Sequence, residues 1–432
     1  MSDKRFHLGW FCNFVADAWN DPWGSDGMPW DGEFYIEMAK ILERACFDYM
    51  ILEDKCHVSD AYGGSMEFEL KHAIAPKHDP SPLATLMAYT TSRLGIVATM
   101  SSSFYPPWML ARLSSTIDHI SHGRFGWNIV TSAEDRAAQN FGLEKLYEHD
   151  LRYDMADEYL DLVCQLWDSW EPDAVVRDRQ AGVYADYTKV HTIDFEGRFY
   201  KSRGPLNTIR SPQGKPVLVQ AGASPKGRQF AAKYADSIIA VGAGVAGMKA
   251  YRDDIRNRME AMGRKPDDCK VLFLVSPIVG DTEQEAREKK SRWLDDPFFI
   301  EYALAEISSI TEVDFSQFDL DKELPDVWTN GERGSLDNFV QKGKGKTLRE
   351  LASAGLSQAV DLCGTPDQVA EEMGAIMDEV GGDGFLITSP VMRLNRRYIV
   401  EIADGLVPAL QRRGLARSGY AFEQFRDNLL EF

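Results

Sequence analysis

The most informative chemistry-bearing segment follows the apolar run 216–221, where small residues lead into a predicted helix. Residues 220–228 read QAGASPKGR, a strand end followed by a small-residue turn and a helix start. Small side chains let the backbone approach a ligand, and the free N–H groups of a helix N-terminus attract phosphate. The Ser224 hydroxyl is equally suited to capping the helix. The sequence therefore predicts either a phosphate site at Ser224 or a helix cap alone.

A second polar pair opens the long predicted helix 149–168. His149 and Tyr153 are four residues apart, so they share one helix face. Both could reach the same phosphate or ribityl chain. The alternative is that they are solvent-exposed residues of a first turn.

Histidine patterns give little support for a metal. His119 and His122 form an H-x-x-H pair at a helix end without a third ligand at suitable spacing, which indicates capping and packing. His57, His72 and His78 lie after the second predicted strand, and their spacing is not typical of a ligand set. We predict no metal.

Residues 242–247 match the G-x-G-x-x-G pattern of a dinucleotide site, after a predicted strand and at a helix start. The next strand, 270–279, lacks the acidic residue that a ribose would require. We interpret the match as a strand-to-helix loop, with a direct nicotinamide site as the alternative.

These segments belong to a regular alternation of strands and helices. Predicted strands span 6–14, 48–53, 95–103, 124–131, 216–221, 236–241, 270–279 and 384–389. Several are apolar at consecutive positions, as parallel strands buried on both faces are. Eight strand–helix units predict one (β/α)₈ TIM barrel over 1–432, with a doubly wound sheet as the alternative.

Two stretches interrupt the alternation, one after the fourth helix and one after strand seven. Residues 169–215 predict a hairpin excursion packed on the barrel, and residues 297–362 predict a mobile lid.

In a TIM barrel, the functional groups lie at the C-terminal strand ends. Here those ends hold hydroxyls, amides, glycines and one carboxylate pair, Glu53 and Asp54, but no histidine. Such mild groups suit a bound cofactor that brings its own chemistry. Three aromatic residues near strand ends, Phe11, Tyr105 and Trp108, are candidates for an apolar substrate pocket.

Charge and cysteine usage restrict the partners and the compartment. The net charge of −19 argues against nucleic acid and anionic membranes, which select for basic surfaces. No apolar run is long enough for a membrane helix, and no secretory leader is visible at the N-terminus. Six scattered cysteines without framework spacing indicate reduced thiols. We predict a cytoplasmic protein.

Several motifs together match a known family. They are residues 111–124, 126–132 (GWNIVTS), 140–142 (NFG), 148–153 (EHDLRY), 203–206 (RGPL), 211–214 (SPQG), 220–224, 406–414 and 426–427. The chain resembles the bacterial-luciferase-like FMN monooxygenases over nearly its whole length. Its motifs are most similar to the branch with nitrilotriacetate, EDTA and dibenzothiophene-sulfone monooxygenases. The segment 297–362 matches least.

The resemblance implies a barrel that binds reduced FMN, delivered by a separate NAD(P)H:flavin reductase. It implies that O₂ and a small organic substrate react there through a flavin hydroperoxide, in a homodimer or homotetramer. The flavin contacts that it implies are Asp54, Thr99, Asn128, His149, Tyr153 and Ser224, with Ser101, Ser102 and Ala223 as further positions.

The resemblance leaves the catalytic residue unknown, and His57 and Tyr105 are the candidate proton donors. Residues 53–57 (EDKCH) are more charged than the usual turn of the family, and residues 242–247 are unusual in it. A sulfur compound, an alkane, an aromatic or an aminopolycarboxylate all remain open as substrate. The alternatives in function are a deazaflavin- or NAD(P)H-dependent oxidoreductase on the same barrel, and a non-catalytic flavin-binding protein.

Overall fold

The fold was analysed in a computed structural model. The structure describes residues 5–13, 30, 32–294, 299–343, 345–353, 359–390 and 396–432. Residues 297, 298, 344 and 354–358 of the second predicted insertion lie outside the described residues.

Fourteen strands are described, and eight of them form the barrel. In chain order they are β1 (His7–Cys12), β2 (Tyr49–Leu52), β3 (Gly95–Ser101), β4 (Phe125–Val130), β5 (Val175–Asp178), β6 (Val183–Ala185), β7 (Phe195–Glu196), β8 (Lys201–Ser202), β9 (Val217–Gln220), β10 (Ser237–Ala240), β11 (Lys270–Val275), β12 (Ile278–Val279), β13 (Cys363–Gly364) and β14 (Gly384–Thr388). The closed barrel has the order β1-β14-β11-β10-β9-β4-β3-β2, and every pair in it is parallel. The predicted TIM barrel is confirmed.

Helices surround the barrel. They are α1 (Glu33–Arg44), α2 (Glu67–Lys71), α3 (Pro80–Thr90), α4 (Pro107–Ile120), α5 (Asp135–Asn140), α6 (His149–Asp168), α7 (Pro225–Tyr234), α8 (Gly244–Ala261), α9 (Glu283–Leu294), α10 (Phe299–Thr311), α11 (Arg333–Gly343), α12 (Leu348–Ser353), α13 (Pro366–Val380), α14 (Arg396–Glu401), α15 (Val407–Arg412) and α16 (Phe425–Leu429). A π-helical turn, Ile402–Leu406, joins α14 to α15. Within the described chain, none of the helices combines the length and apolar character that crossing a bilayer requires.

Two apolar layers explain why the strands are buried on both faces. Outward-facing residues such as Trp10 and Trp127 join the helices in the main core. Inward-facing residues such as Tyr49, Val97 and Leu272 fill the barrel interior. Because both faces are covered, the strands are apolar at consecutive positions rather than at alternate ones.

The C-terminal helix α16 closes the bottom of the barrel. Phe425 and Leu429 belong to the interior cluster. A Cβ atom built on Gly95 would come within 2.7 Å of the Phe425 ring, so the glycine is required for this close contact. The interior is therefore filled from below, and the open end is the C-terminal one.

The first interruption follows α6 and contains two small antiparallel sheets, β5–β6 and β7–β8, as the predicted hairpin excursion requires. The second, between β11 and α13, is more ordered than the lid expected from its polar sequence. Helices α10, α11 and α12 share a core of their own, including Leu304, Phe315, Phe339 and Leu351. The predicted strand 270–279 is divided into β11 and β12, because Pro277 has no backbone N–H to donate to a neighbouring strand.

Candidate active site

A cavity of about 230 Å³ opens at the C-terminal ends of the barrel strands. Residues from several parts of the chain line it. They include the turn after β2, the segment after β4, the start of α6, the loop after β9 and, from the second insertion, the start of α11. Lining residues used below are Asp54, Lys55, Cys56, Ser101, Glu134, His149, Arg152, Tyr153, Gly222, Ala223, Ser224, Glu332, Arg333 and Gly334.

One end of the cavity is built around the N-terminus of α7. Ser224 caps this helix, since its Oγ accepts the N–H of Gly227 at 3.1 Å. A Cβ built on Gly222 would lie 2.5 Å from the Gly227 carbonyl oxygen, and one on Gly227 would lie 2.8 Å from the Tyr153 hydroxyl. The absence of these side chains allows the loop, the helix start and Tyr153 to meet. Two hydroxyls and a helix N-terminus converge there, as in many anion sites.

His149 and Tyr153 line this same end from the first turn of α6. Their rings lie 5.1 Å apart, and His149 Nδ1 is 2.8 Å from Asp150 Oδ1. Burial raises the pKa of Tyr153, an effect that hydrogen bonds to Gln220 and Ser224 oppose. Its hydroxyl therefore stays protonated at neutral pH and can donate to an anion. The structure thus brings together the three polar residues that the sequence suggested for a phosphate.

Asp54 lines the same cavity, whereas Thr99 of β3 and Asn128 of β4 are buried outside its lining. Burial raises the pKa of Asp54 to about 6, against hydrogen bonds from the Cys56 thiol and the Lys55 backbone N–H. Asn128 Nδ2 donates to Thr99 Oγ1 at 2.8 Å, deep in the barrel mouth. Asn128 Oδ1 is buried and has no hydrogen-bond partner among the described residues. A buried acceptor without a partner costs free energy, which makes this oxygen a candidate acceptor for a ligand.

The remaining residues that the sequence suggested do not line this cavity. Phe11 packs in the barrel interior, and Trp108 Nε1 donates to the Pro205 carbonyl at 3.4 Å. Burial raises the pKa of Tyr105, and the negative charges of Asp79 and Asp54 add to this effect. Tyr105 is therefore close enough to Asp54 to interact with it electrostatically. His57 is 8% exposed, and both of its ring nitrogens lack partners among the described residues. Burial lowers the pKa of His57 to about 3, so its ring is neutral.

The other histidines have structural contacts. His72 Nε2 lies 2.8 Å from Glu301 Oε1, and His119 Nε2 lies 3.2 Å from the Ile209 carbonyl. The His78 ring lies 4.2 Å from the Trp30 ring, with the two planes tilted by 58°. Across the described ranges, no three His, Cys, Asp or Glu side chains are close enough together to hold a metal ion.

Several cavity residues were not among the site residues proposed from the sequence, and these include four charged residues. Glu134 follows β4, Arg152 is on α6, and Glu332 and Arg333 come from the insertion. Burial raises the pKa of Glu134 to about 7, and the Glu332 carboxylate adds to this. Spacing could have indicated Arg152, which is one turn beyond Glu148. The insertion residues carry no comparable signal, because they reach the site only through long-range packing.

The insertion is fixed to the barrel on two sides. A Cβ built on Gly334 would come within 2.4 Å of the Ala223 Cβ atom, so α11 lies directly on the loop after β9. Arg136 of α5 bonds to Asp60 and, at 2.9 Å, to Glu312 at the end of α10. The insertion therefore forms a wall of the cavity.

A closed parallel barrel with a cavity at the C-terminal ends of its strands is the architecture of a (β/α)₈ enzyme. The family model of luciferase-like monooxygenases matches residues 6–384. The chain belongs to the luciferase-like monooxygenase family, whose members use a flavin, and it is a flavin-dependent monooxygenase.

Similar proteins span almost the whole chain. Dibenzothiophene-sulfone monooxygenase of Rhodococcus erythropolis is 37% identical over 409 residues, 92% of this chain and 89% of that one. Long-chain alkane monooxygenase of Geobacillus thermodenitrificans is 36% identical over 433 residues, 99% and 94% of the two chains. A riboflavin lyase solved with modified FMN and riboflavin superposes with a TM-score of 0.90 at 32% identity, covering 99% of this chain and 96% of that one.

Proposed function

We propose that this protein is the oxygenase component of a two-component monooxygenase, which uses reduced FMN and O₂ to oxygenate a small organic substrate. One observation carries the choice of FMN: the hydroxyls of Ser224 and Tyr153 meet at the N-terminus of α7 in the cavity. This arrangement suits a terminal phosphate monoester. Reduced FMN supplies, when bound, the two electrons and the centre at which O₂ is activated.

The residues present fit FMN at both ends of the cavity. Ser224, Tyr153, His149 and the backbone at Ala223 would hold the phosphate and ribityl chain. Asp54, Thr99 and Asn128 would lie along the ring system, where the unpartnered Asn128 Oδ1 would be available as an acceptor. The cavity also presents charged side chains, among them Asp54, Glu134 and Arg152, which would surround the bound cofactor.

In this proposal the protein has two roles: it excludes water from the cavity, and it supplies a group that can carry a proton. The insertion covers the cavity at Gly334 and so limits the access of water, which is how such sites protect reactive species. Asp54 lines the cavity with a pKa of about 6, so its carboxyl can hold a proton near neutral pH. His57 is neutral and could act only as an N–H donor, while Tyr105 keeps its hydroxyl proton. We therefore place Asp54 ahead of His57 and Tyr105 as the proton carrier.

The partners follow from this proposal. A relative of 34% identity is named component A of nitrilotriacetate monooxygenase, and we propose that here too a separate component, an NAD(P)H:flavin reductase, supplies the reduced flavin. A homodimer or homotetramer in the cytoplasm, without nucleic-acid or membrane partners, completes the proposal.

The test combines flavin binding with oxygen consumption. Photoreduced FMN should bind, with a Kd at least about tenfold below that of reduced riboflavin, because only FMN reaches Ser224. A generic flavin reductase with NADH should then support substrate-dependent O₂ uptake. No binding of reduced FMN would refute the proposal. Direct reduction of bound flavin by NADPH would favour the alternative oxidoreductase, and tight FMN binding without any oxygenated product would favour a non-catalytic flavin protein.

A further inference from the structure

A buried cluster of charged side chains lies beside the ring end of the cavity. It consists of Glu53, Lys55, Glu69, Lys77 and Glu306, and we refer to it as the charged cluster. Lys55 forms an ion pair with Glu69, and both side chains are at most 5% exposed. Lys77 Nζ lies 2.8 Å from Glu53 Oε1. Each ammonium group therefore has a carboxylate of its own.

Glu306 is the member without a matching cation. This α10 residue is 7% exposed, and its Oε2 atom has no hydrogen-bond partner within the described part of the chain. Burial raises the pKa of Glu306 to about 7, although Lys55 and Lys77 favour the ionised form. Burial alone would lower the pKa of Lys77, but Glu53 and Glu306 raise it. Three carboxyl groups thus share two ammonium groups, leaving one buried acceptor unsatisfied.

The charged cluster is continuous with the barrel mouth and the cavity. Glu53 Oε2 accepts from Asn13 Nδ2 at 2.9 Å, and Asn13 Oδ1 accepts from Thr388 Oγ1 at 3.1 Å. This chain joins the ends of β2, β1 and β14. Lys55 lines the cavity next to Asp54. The charged cluster therefore adjoins the barrel mouth through Glu53 and the cavity through Lys55, its one member among the cavity-lining residues.

We propose that the charged cluster is a substrate subsite and that it selects a substrate carrying a protonated amine, which forms an ion pair with Glu306. This inference rests on the proposed function, since it assigns the substrate class of the same site. An anionic head group would have to displace Glu53 or Glu69 from a lysine that is already paired. An alkyl chain would leave the Glu306 oxygen buried without a partner, which costs free energy. A cation instead completes the charge balance.

The test uses three probes of equal length: n-hexylamine, n-hexanol and n-hexanoate. Calorimetric titration of the full chain, with and without FMN, should show the amine binding at least about tenfold more tightly than the other two. Glu306→Gln should abolish that preference. Glu301→Gln is the matched control on the same helix, because Glu301 contacts Lys71 and His72 outside the cluster. It should retain the preference.

A wild-type measurement keeps the proposal testable even if Glu306→Gln does not fold. Burial raises the pKa of Glu306 to about 7, so its carboxyl is partly protonated near neutral pH. Amine binding should therefore release a fraction of a proton, measured from the buffer dependence of the binding enthalpy. Hexanol should release none.

Three outcomes would overturn the inference: equal binding of the three probes, unchanged amine binding in Glu306→Gln, or amine binding without proton release. None of them affects FMN binding, which is titrated separately. Loss of FMN binding would instead overturn the proposed function, and the amine titration of the flavin-free chain would still decide the subsite.

Discussion

Gly334 of the insertion packs on Ala223 so closely that a single methyl group on Gly334 would lie 2.4 Å from the Ala223 Cβ atom. Neither atom can rotate away, since a Cβ moves only with its backbone. Gly334→Ala should therefore displace the start of α11 and open the cavity. We expect FMN affinity to fall about tenfold and H₂O₂ release per NADH to rise in the coupled assay.

The control for this substitution is Gly419→Ala, because a Cβ at Gly419 meets nothing within 4 Å. It should leave FMN affinity and H₂O₂ release unchanged. Wild-type behaviour of Gly334→Ala would show that the insertion does not wall the flavin site.

Ser224 should distinguish FMN from riboflavin. Ser224→Ala removes the helix cap, at a cost of about 1 kcal/mol in stability, together with one hydroxyl facing the phosphate. FMN should bind about tenfold more weakly, whereas riboflavin, which has no phosphate, should bind as before. Fluorescence titration with both flavins measures the difference, and an equal loss for the two would contradict the assignment.

The Arg136 contacts predict a specific defect in the insertion. Arg136 joins Asp60 to Glu312, and Glu312 Oε1 also accepts the Asp135 backbone N–H at 3.0 Å. Arg136→Ala should loosen α10, so limited proteolysis should cut within 299–353 faster than in wild type. Lys322→Ala, at an exposed ion pair of the same insertion, should not accelerate cleavage. Equal protection of both variants would refute the role of Arg136.

Buried carboxyls predict how stability changes with pH. The pKa of Glu306 rises from 4.5 to about 7 on burial, so the folded state retains a proton that the unfolded state releases. Its contribution is present at low pH and is lost as pH rises through about 7. Urea unfolding should show stability falling by up to about 1 kcal/mol per pH unit between about pH 5 and 7. Glu306→Gln should flatten this slope, and an unchanged slope would exclude the carboxyl as its source.

At the opposite end of the barrel, an ion network should be essential for stability. Asp48 accepts from His7 Nδ1 at 2.9 Å and from Arg417 Nη2 at 2.6 Å, with all three side chains at most 2% exposed. These partners lower the pKa of Asp48 despite its burial. Asp48→Asn should cost about 3–5 kcal/mol in urea unfolding. Glu196→Gln, at an exposed pair, should cost under about 1 kcal/mol.

The barrel could be predicted from sequence because its determinants are local. Each strand is a short apolar run, and each is followed by helical periodicity with a recognisable start, such as the capping box at Thr365 and Gln368. The turn at Ser224 could also be predicted, because the strand, the turn and the helix cap are contiguous in the sequence. The phosphate role that we propose for Ser224 also depends on Tyr153, which is distant in sequence and meets Ser224 only in the fold.

The charged cluster shows where sequence reasoning stops. The charges at Glu53 and Lys55 were visible, but Lys77 and Glu306 come from distant segments and carry no motif. Likewise, the polar sequence of 297–362 suggested a loop, because its apolar positions are spread over three short helices. They form a core only when those helices pack together. Long-range packing, rather than local propensity, therefore determines both the charged cluster and the core of the insertion.

The position of the Phe425 ring inside the barrel has a consequence for folding during synthesis. The first strand emerges from the ribosome some four hundred residues before the aromatic ring that fills the space beneath Gly95. Until Phe425 has been synthesised and packed, the nascent barrel has an unfilled apolar cavity at its N-terminal end. Chaperones that shield such surfaces should therefore remain bound until Phe425 has left the ribosome.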